Sequence, residues 1–112
     1  MKKYIKYTLV MFSLFNIPLS YSATGDSGWR DISQIGCHLN GGTCYVSLDI
    51  NVGPAECSSN SIRWNKDSST AGKEIFSLLM AASAANKKVS FQVSDQCYGN
   101  FPTFSYLSVL MK

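Results

Sequence analysis

The sequence is poor in catalytic and metal-binding residues. Its 112 residues include one histidine, His38, and no cysteines in a C-x-x-C arrangement. Structural zinc sites draw on closely spaced Cys pairs, alone or with His, and this sequence has no such pair and one His, so no metal is expected, and no other cofactor. The acids are scattered singly and no nucleophile signature lies near His38, so neither nucleophilic nor paired-carboxylate chemistry has a visible basis. The protein therefore reads as non-enzymatic. Charge is also scarce, with Asp, Glu, Lys and Arg at 15%. The net charge of +3 arises because three of the ten basic residues, Lys2, Lys3 and Lys6, sit at the start. Without that segment, seven bases face seven acids. A neutral domain lacks the basic groove that nucleic acid requires, so nucleic acid is excluded as a partner. No apolar run reaches the roughly 20 residues of a bilayer-spanning helix, so no membrane span is expected.

What is present at the start is an export pattern. Met1 to Lys6 is basic, Tyr7 to Pro18 is apolar, and Ser20-Tyr21-Ser22-Ala23 supplies small residues. Basic flank, short apolar core and small-residue exit, in that order, predict a signal peptide over residues 1–22. The mature domain is then residues 23–112, secreted or periplasmic. At about ninety residues one core gives only marginal stability, and an oxidising compartment lets cysteines act as staples. Four are present: Cys37, Cys44, Cys57 and Cys97.

Asn40-Gly41 is a strong hairpin signal, because a type I′ turn needs φ > 0 at both central residues. With those two residues as the turn, Cys37 faces Cys44 across the ladder, within disulfide reach. Of the three connectivities open to four cysteines, the expected one is Cys37–Cys44 with Cys57–Cys97. Before the turn, Trp29 to Leu39 reads as a first strand, and the polar stretch Ala23 to Gly28 as a loose N-terminus. Tyr45 to Val52 alternates cleanly, with Val46, Leu48, Ile50 and Val52 on one face. Ser61 to Trp64 is a short third strand. Lys73 to Ala85 is a helix with a stripe of Ile75, Leu78, Leu79, Ala82 and Ala85, widened by Phe76 and Met80. Ser69 or Thr70 is the expected N-cap and Asn86 the C-terminal cap. Val89 to Ser94 is a fourth strand, Asp95 to Pro102 a loop, and Thr103 to Met111 a fifth strand. The order β-β-β-α-β-β predicts a mainly β fold, a five-stranded OB-fold barrel with one helix between strands three and four.

From Arg63 onward the chain resembles the B subunit of Shiga-type toxins. The carriers are Arg63-Trp64-Asn65, the helix from Ile75 to Ala82, Val89-Ser90-Phe91-Gln92-Val93, and Cys97 followed by a Gly-containing loop. More broadly it looks like the secreted OB-fold B subunits of AB5 toxins. The resemblance implies a non-enzymatic homo-oligomeric ring, a pentamer, that binds cell-surface glycans and carries a catalytic A subunit. In that family the helices line a central pore, and here Ser77, Ala81, Ser83 and Ala84 would let helices approach closely. Trp64 matches the family's receptor-facing tryptophan, and Gly99 falls in a sugar-contacting loop. The departures are a second disulfide, a longer loop between strands two and three, and polar residues Ser58 to Ser61 where the family carries an aromatic.

The ligand-binding candidates are Trp64, Asn65, Tyr98, Gly99 and Asn100. Phe101 stands beside them, though core packing is the simpler role for it. Aromatic rings with hydroxyl and amide partners are the groups that sugars need. The competing function is a stand-alone periplasmic or secreted structural or interaction protein with no toxin partner.

Overall fold

The structure, a computed structural model, describes residues 23–112. The expected signal peptide, residues 1–22, lies outside the described residues. In chain order the elements are β1 (Gly25–Asp26), β2 (Ile32–Cys37), β3 (Thr43–Val52), a 3-10 turn (Ala55–Cys57), β4 (Ser59–Asn65), α1 (Gly72–Ala84), β5 (Val89–Tyr98) and β6 (Phe101–Val109). They form two antiparallel three-stranded sheets, β2-β3-β4 and β1-β5-β6.

The mainly β class, the one α-helix among the described residues and both disulfides agree with expectation. The five-stranded barrel does not. Among the described residues there are six strands, and no ladder joins the two sheets, although β4 lies against β6. Bulges account for this. The β3–β4 register breaks between Ser47 and Val52, and the β5–β6 register breaks at Gln92/Val93 and again at Val93/Cys97. Bulged strands bend and twist sharply, and the two sheets enclose one core with β4 lying against β6, without a continuous ladder closing a cylinder.

That core draws on both sheets and the helix. β3 supplies Cys44, Val46, Leu48 and Val52, β4 Ile62 and Trp64, β5 Val89, Phe91 and Val93, and α1 Leu79 and Ala82. The Phe104 ring meets Trp64 and Phe91 edge-on, at centroid distances of 5.7 and 5.0 Å, a favourable geometry for aromatic quadrupoles. Each fully buried aliphatic or aromatic side chain contributes about 1.5–3 kcal/mol. Ile50, expected on the buried face of β3, is exposed. It sits within the bulge, where the alternation of faces is lost and Asn60 Nδ2 donates to Leu48 O instead of a regular ladder forming.

The helix begins one residue before the expected start and has no side-chain cap. Ala71, not Ser69 or Thr70, holds the N-cap position. Close approach fixes this end. A Cβ on Gly72 would stand 2.6 Å from Lys66 Cα, so only glycine lets the helix start against the end of β4. Trp64 Nε1 donates to Gly72 O at 2.9 Å, tying the same two elements. The other end closes as expected at Asn86, in the left-handed region at φ 55. Asn86 N donates to Ser83 O and Lys87 N to Ala82 O, the Schellman pattern. The buried stripe is narrower than expected. Ile75, Phe76, Leu79 and Ala82 face the core, while Leu78, Met80 and Ala85 are exposed.

Cys37 pairs with Cys44 in the β2–β3 ladder and is bonded to it, and Cys57 is bonded to Cys97. The register of the hairpin is the expected one, but its turn is wider. Positive φ falls on Gly41 and Gly42, not on Asn40. His38 N closes the turn by donating to Thr43 O.

The largest difference lies at the N-terminus, which is not loose. Ala23 and Gly53 exchange backbone hydrogen bonds, β1 pairs with β5, and Arg30 exchanges bonds with Val89. The strap covers an otherwise open edge of β5. Asp95 to Pro102 is likewise not a loop. β5 runs through to Tyr98 and turns at Gly99-Asn100 into β6.

Candidate functional site

A cleft of about 380 Å³ opens where the end of β4, the segment leading into α1, the end of β5 and the bulged part of β6 converge. Trp64, Asn65 and Tyr98 line it together with the hydroxyl-bearing residues Ser68, Ser69, Thr70, Thr103 and Ser105. The fold thus brings three of the five candidate residues to one place.

Each arrives by a different route. Trp64 shares strand parity with Ile62, so the alternation that buries one buries the other. Only 4% of Trp64 is exposed, and its indole N–H is already spent on Gly72 O. It forms the floor of the cleft and offers no open stacking face. Asn65 organises the wall. Its Oδ1 accepts from the backbone N–H groups of Asp67 and Ser68, and its Nδ2 donates to Gly41 O. That Asx-type turn aims the Ser68–Thr70 segment and leaves the Asn65 amide little free capacity. Tyr98 is half-buried, and its hydroxyl shares a 2.8 Å hydrogen bond with Thr43 Oγ1.

Gly99 and Asn100 are not part of the cleft lining. They form the exposed tip of the β5–β6 hairpin, with Gly99 at φ +61. Phe101 packs away from the cleft. The Arg63 guanidinium lies 3.4 Å from its ring centroid and 5.6 Å from that of Tyr45, a cation–π stack. His38 is exposed beside its turn and meets Tyr45 edge-on.

Sequence reasoning missed Thr103 and Ser105. Their contribution depends on the β6 bulge opposite Val93, where an extra residue re-aims the strand. Period-2 alternation gives no sign of it. The lining includes no Asp, Glu, Lys, Arg or His. Its chemistry is hydroxyl and amide hydrogen bonding over an aromatic floor. Among the described residues no group of three or more His, Cys, Asp or Glu could hold a metal ion, and no helix is long and apolar enough to cross a membrane. Compared with known protein families, curated proteins and solved structures, the chain matches none.

Proposed function

We propose that the mature protein is a secreted or periplasmic, non-enzymatic binding subunit that recognises glycans, and that it works as a ring oligomer of toxin B-subunit type. The observation that carries the reading is the uncharged, hydroxyl-lined cleft uniting Trp64, Asn65 and Tyr98. Neutral sugars are bound by such surfaces through hydroxyl networks and aromatic contact. The two disulfides fit export to an oxidising compartment. The strand–helix order after the N-terminal strap, β-β-β-α-β-β, keeps the sequence of elements on which the OB-fold expectation rested.

Support for assembly comes from α1. Its solvent side carries Leu78, Ala81 and Ala85, which form an apolar depression with Val109 and Met111. Small residues beside exposed Leu and Met allow a neighbouring helix to approach closely, and a second copy of the chain is the occupant the ring requires.

Sizing and mass photometry of residues 23–112 test the ring, and a monomer at micromolar concentration would defeat it. A glycan array tests the ligand class. Ser69→Ala with Thr103→Val is expected to weaken array binding at least about tenfold through lost hydrogen bonds. Unchanged binding would remove the cleft from the reading.

A further inference from the structure

The outer face of the β1-β5-β6 sheet holds a second concentration of binding chemistry, unconnected with the cleft. Trp29 is 45% exposed and Tyr106 61% exposed. They border a groove of about 210 Å³ whose polar lining is Asp26, Ser90, Gln92 and Ser108. The topology explains the grouping. Asp26 pairs with Gln92, Gln92 with Tyr106, and Ser90 with Ser108. The intervening Val89, Phe91 and Val93 point into the core, so the alternation sends the polar set and Tyr106 outward together.

Asp26 is held in place. Its Oδ1 accepts from Gly28 N and from Ser90 Oγ, both at 2.8 Å. Those two donors, the backbone one first, hold its carboxyl below the usual carboxylate range. Among the described residues Oδ2 receives no hydrogen bond, and neither the Gln92 amide nor the Ser108 hydroxyl has a protein partner. The groove therefore presents a fixed anionic acceptor, an amide and a hydroxyl, all uncommitted, between two large amphipathic rings. Half-exposed Trp and Tyr provide contact area at little entropic cost. A carboxylate oxygen suits vicinal hydroxyls, which donate as a pair. The volume is below the roughly 300–1,000 Å³ of a drug-sized pocket and matches a single ring.

We propose that this face is a saccharide subsite for one neutral pyranose unit, with Trp29 and Tyr106 flanking the ring and Asp26 Oδ2 accepting from its hydroxyls. It deepens the glycan-binding reading and rests on it, but it uses a different surface and rejects anionic sugars. The test titrates residues 23–112 with lactose, maltose and methyl α-mannoside, with free sialic acid as the anionic control. Tryptophan emission is the readout, and it is assigned to the groove by its loss in Trp29→Phe, because Trp64 lies under the cleft. At least one neutral probe is expected to give a saturable shift with a dissociation constant of order 1 mM, and sialic acid none. Tyr106→Ala and Asp26→Asn each weaken it at least about tenfold, while Ser69→Phe, which obstructs the cleft from the segment before α1, leaves it intact. Neutral-sugar binding lost in Ser69→Phe but retained in Tyr106→Ala and Asp26→Asn would overturn the subsite and keep the cleft reading. Binding of no probe here and of no glycan on an array would overturn both.

Discussion

The two tryptophans occupy opposite situations. Trp64 is closed into the core, 4% exposed, with its N–H bonded to the first turn of the helix. Trp29 is 45% exposed, at the rim of a groove on the outer sheet face. The short motif Arg63-Trp64-Asn65 suggests the first as a ligand contact, while the second stands in the sequence as the start of the first expected strand and no motif singles it out. Strand parity decides between them. Trp64 alternates with Ile62 on a strand whose inner face is core, and Trp29 stands in the strap before β2, where no buried stripe runs. Burial follows the local alternation, and the motif's surface role in another family does not fix it.

Substitution of each tryptophan gives the largest contrast. Trp64→Ala is expected to cost about 3–5 kcal/mol, the range for truncating a buried aromatic. Trp29→Ala should fall within about 0.5 kcal/mol, as for other surface changes. Urea denaturation followed by circular dichroism measures both, and equal costs would break the comparison. The two disulfides rank next. Replacing Cys57 and Cys97 by Ala opens a link between residues 40 apart in sequence and is expected to cost about 3–4 kcal/mol. For Cys37 and Cys44, 7 apart, the loop-entropy model gives about 2.5 kcal/mol. The contrast sharpens if both losses add to that of Trp29→Ala but only distant ones add to that of Trp64→Ala. A smaller effect is expected at the helix start. Gly72→Ala forces a Cβ toward the Lys66 backbone and should cost about 1–3 kcal/mol through overpacking, despite the better helix propensity of Ala. Any gain in stability would show that Trp64 and Gly72 do not set this junction together.

Much of the fold was legible because it is local. The hairpin register put Cys37 opposite Cys44 from spacing alone, the 3.6-residue period found α1, and Asn86 marked its end. What was not legible depends on partners distant in sequence. Gly25–Asp26 is polar and short, and becomes a strand only because β5 offers an edge at Val93 and Gln92. Ile50 looked buried because a bulge does not show in an alternating pattern. Ser69 and Thr70 looked like caps, but the helix start is set by backbone contact at Gly72. Gly99-Asn100 is a two-residue hairpin signal that its Cys97 and Pro102 surroundings disguised as a long loop. Of the candidate site, the residues on or beside β4 and Tyr98 converge. The hydroxyls around them come from a turn and a bulge, which residue type alone does not align.

The smallest expected effect concerns the strap that carries Trp29 to its groove. Asp26 anchors it through Gly28 and Ser90, and its carboxyl is lowered relative to the unfolded chain. A lowered folded value means the unfolded state binds the proton more readily, so stability from this group is complete above the ordinary carboxylate range. It is lost as pH falls through the lowered folded value. Asp26→Asn keeps acceptor geometry but removes the charge, so it should be slightly less stable than the parent at neutral pH. The difference should shrink on acidification across that window, measured by denaturation at successive pH values alongside carbon-detected titration of the Asp26 carboxyl. Because Asp26 is exposed, added salt should shrink the gap as well. A difference that stayed constant with pH would mean the strap is held by its backbone bonds alone, and Trp29 would then owe its position to the Ala23–Gly53 and Arg30–Val89 pairs that bracket it.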